Sequence, residues 1–293
     1  MGTVEVLPSH VADVGGVAVR RALPQRARRT VGAWCFVDHM GPLATTEDWG
    51  LAVGPHPHLG LQTVTWVVSG EIEHRDSLGS VQVIRPGQLN LMTAGRGVSH
   101  AEETVERRRG EVQAVQLWVA QPEDTRHGAA AFEHHAELPK VELDSGTATV
   151  FVGGFGAEKS PARRDTEIVG VELDLSDGAS TFALDPSFEY AAVVLEGALR
   201  VGEHSLEPGN LGYLGLGRGE LAVGADGPTR ALLLGGVPFP EPVLMWWNFV
   251  ARTREEISAA WQQWQSDSGQ FGEVNSHLTR IPVGPPPWMA SGG

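Results

Sequence analysis

Two short segments carry residues whose types and spacing suit metal chemistry. One is Gly54-Pro55-His56-Pro57-His58; the other is His100-Ala101-Glu102. On an extended strand, residues two apart project from the same face, ~6.5–7 Å apart at Cα. Each pair can therefore aim two donors at one cation. Pro57 cannot donate a ladder hydrogen bond, which puts the first segment at a strand start or a sheet edge. A lone His-x-His is more often a surface or satisfied pair than a ligand pair, and a lone His-x-Glu says less still. Their order is more informative. His-x-His precedes an apolar strand, a turn at Gly70, a Pro86-Gly87 turn and a Gly95-Arg96-Gly97 turn, and then comes His-x-Glu. Three imidazoles and one carboxylate suit iron(II), with manganese, nickel, copper or zinc also compatible. A six-coordinate metal so held keeps two positions open for water or substrate, as a catalytic site requires.

The elements around these residues read as short strands. Thr63–Val68, Ser80–Ile84, Val112–Val119, Thr147–Val152, Ile168–Leu175, Tyr190–Leu195 and Arg230–Leu234 are rich in Val, Ile, Leu and Thr. Gly, Pro and Asp separate them, which points to an all-β sandwich or barrel. The unit repeats. Pro208-Gly209, then seven residues, then Gly217-Arg218-Gly219 matches Pro86-Gly87 and Gly95-Arg96-Gly97, and Gly197 matches Gly70. Aligned on these turns, Ala183 and Asp185 fall opposite His56 and His58, and Ala222 and Gly224 opposite His100 and Glu102. The turns are kept and all four donors are gone, so the metal site belongs to the first copy alone. Two tandem barrels follow, with the boundary between about residues 123 and 141. Thr253 and Glu256 form a capping-box signature. Ile257, Trp261 and Trp264 then make one apolar stripe on a helix that packs on a barrel, anchored by Trp246 and Trp247. Residues 282–293 read as a loose Pro- and Gly-rich tail.

With these residues in view, the chain resembles the pirin family. The resemblance rests on segments 54–66 and 92–102, Val37–Pro42 and Glu241–Val250, and runs from about residue 15 to 275. It implies two cupin (jelly-roll-like) β-barrels: a metal-binding barrel over 1–134, a degenerate barrel with a returning helix over 135–281, and a tail over 282–293. The pirin ligands match His56, His58, His100 and Glu102. Gln62 stands where the general cupin motif carries a ligating Glu. Strand parity with His58 would turn Gln62, Val64 and Trp66 into the lumen if no bulge intervenes. Asp38 and His39 are expected near the pocket mouth, chiefly as structural groups.

The family implies two roles. One is quercetin 2,3-dioxygenase-type cleavage of a flavonol by O2, with Glu102 as both ligand and catalytic base. The other is an iron-dependent, redox-responsive regulator that binds a transcription factor or a metabolic enzyme. For that role the cluster Arg20, Arg21, Arg26, Arg28 and Arg29 is the candidate docking face; Arg107, Arg108 and Arg109 form a second basic cluster. A sugar-isomerase type of cupin fits the motif wording less well.

Composition narrows the setting. A net charge of −14 disfavours direct nucleic-acid binding, because little is gained from counterion release. No stretch approaches the ~20 apolar residues of a membrane span, and the N-terminus has neither a secretory nor a myristoylation pattern. The lone Cys35 cannot form an intrachain disulfide and sits in an apolar run, as a buried inert thiol would. A cytoplasmic protein is expected.

Overall fold

The computed structural model describes residues 3–14, 16–47, 49–105 and 109–289. Arg107 and Arg108 of the second basic cluster lie outside them. The described residues are all-β apart from one helix, Arg254–Gln265. It forms two cupin barrels, each built from a seven-stranded and a four-stranded antiparallel sheet, with two small hairpins added. The turn glycines show why the repeat keeps them. Gly70 and Gly197 have φ of 80° and 71°, and a Cβ there would lie 2.5 Å from Glu111 O and 2.4 Å from Pro228 O. Any side chain at either position would break the turn.

The large sheets pack face to face. Val64, Trp66, Val115 and Leu117 of the first barrel share one buried core with Phe151, Val193 and Leu232 of the second. The Trp34 indole N–H donates to Val169 O and Gly235 O across this seam. Arg230 bridges it too, donating to Val68 O at 3.0 Å while pairing with Glu172 at 2.6 Å. The chain leaves the first barrel after Ala131–His135, which pairs with Leu89–Thr93, and enters the second at Lys140–Leu143.

The two ends of the chain cross over. Strand Glu5–Pro8 adds to the second barrel's large sheet, against Asn210–Tyr213. The last segment returns to the first barrel: Val250 N–H donates to Leu59 O and Ile281 N–H to Pro55 O. The helix starts at Thr253, whose Oγ1 accepts from Glu256 N–H, while the Glu256 carboxylate accepts from Arg252 N–H rather than from the cap itself. Ile257, Ala260 and Trp264 are its buried face; Trp261 is half-buried and donates to Val283 O. Residues up to 289 are less loose than their composition suggests, since Trp288 donates to Ser258 Oγ at 2.9 Å.

The arginine cluster is largely consumed internally. Arg20 donates to Gly41 O, Arg21 pairs with Asp38, and Arg28 lies 3.6 Å from the Tyr213 ring centroid. Only Arg26 and Arg29 of that group are exposed.

Candidate metal centre

The site is laid out by the small sheet of the first barrel. Its central strand Val98–Thr104 lies between Ala52–His58 and Ile72–Asp76. Directly opposed residues of an antiparallel pair share a face. His100 opposes His56 on one side and Asp76 on the other, and Glu102 opposes His74. Between His100 and Glu102 the register slips, so Glu102 meets Val53 instead of Gly54. The extra residue falls at Gly54-Pro55, where Pro55 has no N–H for a regular ladder to lose.

His56, His58 and His100 come together, with one ring nitrogen of each within 4.8 Å of the others. Glu102 does not lie within that distance of all three. Its carboxylate groups with His74 and His100 instead, so His100 belongs to both clusters. Glu102 Oε1 accepts from Thr65 Oγ1 at 3.1 Å, and Thr65 in turn meets the Gln116 amide at 3.1 Å. The Gln116 atom that faces Thr65 is Oε1, so the single Thr65 hydroxyl proton is shared between two acceptors, Glu102 Oε1 and Gln116 Oε1.

The histidines fit a divalent cation chemically. His56 Nδ1 donates to Gly54 O at 2.9 Å and His58 Nδ1 to Asn248 O at 3.2 Å. Both rings are thereby left with bare Nε2 atoms. His58 Nε2 lies 3.0 Å from His100 Nε2. Burial pushes His56 down to about 4, and drives His58 and His100 well below the ordinary histidine value. Their lone pairs are therefore free at neutral pH. Burial raises the half-buried Glu102 carboxyl, more than the nearby His74 and the Thr65 hydrogen bond lower it. It is a better proton acceptor than an ordinary glutamate.

A cavity of about 400 Å³ opens onto these groups, a size suited to a small ligand. Phe36 and Trp118 form one wall, stacked at 4.0 Å. The Arg21–Asp38 pair and Ile281 of the returning tail also line it.

Several expectations change. Gln62, Val64 and Trp66 do not face the lumen. Gly60 has φ of 72° and turns the chain into a different sheet, so parity does not carry through from His58. Thr65 lines the cavity instead, while Gln62 donates to Thr93 Oγ1. Asp38 does stand at the cavity, but His39 is buried against Gln113. Trp247 packs 6.3 Å from Trp264 and also lines the cavity. Its φ of 52° is a strained choice for a bulky residue; it sits in the hairpin that brings Asn248 O to His58. Cys35 is fully buried and burial raises its thiol to about 12, as expected of an inert thiol.

His74 is the residue the motif reading passed over. It is 2% exposed, and its ring stacks on Phe132 at 4.5 Å. Its Nδ1 is 3.3 Å from His100 Nδ1 and its Nε2 is 3.1 Å from Asp76 Oδ2. Burial alone would raise Asp76, yet the His74 and Ser80 hydrogen bonds together hold it below the usual carboxylate value. A signal was available, since His74-Arg75-Asp76 has the same i, i+2 spacing as the two pairs that were read.

A double cupin barrel that, among the described residues, has a histidine-rich centre in its first barrel alone is the class that fold and site define. The Pirin family model matches residues 16–119 and the Pirin C-terminal cupin domain model matches residues 170–272. The chain belongs to the pirin family. It is 45% identical over 276 residues, 94% of this chain and 87% of the other, to a Pseudomonas aeruginosa protein named "Putative quercetin 2,3-dioxygenase". It is 36% identical to a Caulobacter vibrioides pirin-like protein, over 92% of this chain and 96% of that one. A crystal structure of quercetin 2,3-dioxygenase from Acinetobacter baumannii superposes with a TM-score of 0.92 at 42% identity, covering 96% of both chains. An Escherichia coli pirin, solved with nickel(II), shares the fold at 16% identity with a TM-score of 0.65, over 80% of this chain and all of that one.

Proposed function

We propose that the chain is a metal-dependent dioxygenase of the quercetin 2,3-dioxygenase type, cleaving a flavonol with O2 in the cytoplasm. The observation that carries this is the convergence of bare imidazole nitrogens on the floor of a cavity with a stacked aromatic wall. His56, His58 and His100 would hold the metal, with Glu102 as the fourth donor. Iron(II) suits this set best, and manganese, nickel, copper or zinc are compatible.

When bound, the metal would acidify a coordinated flavonol hydroxyl and fix the substrate's adjacent oxygens in register. The protein does the rest. The Phe36–Trp118 stack gives the flat ring system an apolar wall to pack against. Glu102, raised by burial and steadied by Thr65, takes the hydroxyl proton at a carboxylate oxygen. The Arg21–Asp38 pair supplies the cavity with a charged edge, against which the polar rim of a flavonol would lie.

The test is oxygen uptake and carbon monoxide release with quercetin, using protein loaded separately with iron, manganese, nickel and copper. Turnover with at least one metal is expected. His56→Ala and His100→Ala should each lower metal content and abolish that turnover. A fully loaded protein inert towards a panel of flavonols overturns the dioxygenase reading.

A further inference from the structure

His56 and His58 each turn Nδ1 to a backbone carbonyl, Gly54 O and Asn248 O. His100 has a side chain at that position instead, His74 Nδ1 at 3.3 Å, and behind it Asp76 at 3.1 Å from His74 Nε2. Asp76 is itself pinned. Its Oδ1 accepts from Leu78 N–H and Ser80 N–H, both at 2.9 Å. The free carboxylate oxygen therefore faces His74 and can only accept. His74 must give it the Nε2 proton, which leaves His74 Nδ1 bare. His100 Nδ1 must then be the donor, and His100 Nε2 is left bare 3.0 Å from the bare His58 Nε2, two lone pairs that a shared cation would reconcile.

We infer that His74 and Asp76 are positioning residues that act in series to fix the tautomer of His100, so that its Nε2 lone pair is presented to a metal. This deepens the metal-centre reading and rests on it. A histidine ligand usually gives its far nitrogen to a carboxylate or carbonyl; here a second histidine is interposed, and the polarity of the whole row is set by two backbone N–H groups in the 78–80 turn.

That polarity can be reversed by a near-isosteric change. In Asp76→Asn, the amide oxygen keeps Leu78 N–H and Ser80 N–H, so the NH2 must face His74 Nε2. His74 then carries its proton on Nδ1, His100 accepts it, and His100 Nε2 is protonated. The site closes on itself through a His100 Nε2–H···Nε2 His58 bond, with no change of fold.

The experiment combines long-range 1H–15N spectra of the imidazole nitrogens in chelator-treated protein with chelator-competition affinities for zinc and nickel. The wild type should show His100 protonated at Nδ1. Asp76→Asn should show it protonated at Nε2, with metal affinity reduced about 10–100-fold and an unchanged melting temperature. His74→Phe keeps the ring stack on Phe132 and should lose affinity similarly. His74→Asn, whose Oδ1 can accept from His100 Nδ1, should recover most of that loss. An unchanged His100 tautomer in Asp76→Asn, or wild-type affinity in that variant, overturns the inference. Wild-type protein that takes up no metal would sink the metal-centre reading, while the tautomers in the metal-free protein would still decide this one.

Discussion

At the residue scale, the site is defined by protons that are absent. Burial removes them from His56, His58 and His100 at neutral pH, and His39 behaves alike away from the centre. Burial, with Arg20 nearby, lowers His39 to about 4. Between pH 4 and the ordinary histidine value near 6.5, the unfolded chain binds a proton there that the folded chain does not. Stability therefore rises with pH across this window. His39→Gln should flatten the slope by up to about 1.4 kcal/mol per pH unit, read from urea unfolding at pH 4.5, 5.5 and 6.5. The candidate donors His56, His58, His100 and Glu102 could be picked out because i, i+2 spacing is visible in one dimension. Their hydrogen-bond partners could not. Asn248 is 190 residues from His58, and the His74–Glu102 pairing exists only through strand register.

At the element scale, Gly60 has two jobs. It ends the ligand strand and sends the chain into the large sheet. Its φ of 72° is costly for any other residue, and a Cβ there would lie 2.1 Å from Val250 O. Gly60→Ala should push away the hairpin that carries Asn248. A loss of at least about 1–3 kcal/mol is expected for strain of this kind, together with weakened metal binding, measured by thermal melting and elemental analysis. The sequence repeat made the strands and their glycine turns readable. The inward parity of Gln62, Val64 and Trp66 failed at Gly60, because a positive φ resets which face the following residues present. The helix was readable from its cap and stripe, and the burial of Ala260 followed from how the helix rolls on Phe249 and Phe271.

At the scale of the whole molecule, the barrels are joined by a buried seam. Arg230 is one of its polar links, beside Trp34, and burial raises the Glu172 carboxyl against the pull of that arginine. Arg230→Leu should cost about 3–5 kcal/mol, because it strands a buried acid. The double variant Arg230→Leu/Glu172→Leu should recover much of that loss in the same denaturant series. The second barrel needs no such polar floor. Its interior is filled by residues such as Leu173, Leu175, Leu221 and Val223, in line with the missing donors of its repeat.

The crossed chain ends also fix a timetable for biogenesis. Synthesis runs from the N-terminus at ~5–20 residues per second. All three histidines and Glu102 have emerged before half of the polypeptide exists, yet the carbonyl that orients His58 belongs to residue 248, and Pro55 meets Ile281 later still. The proposed ligand cage would therefore be finished only as translation ends, and ion selection would fall to the completed polypeptide rather than to the nascent first barrel.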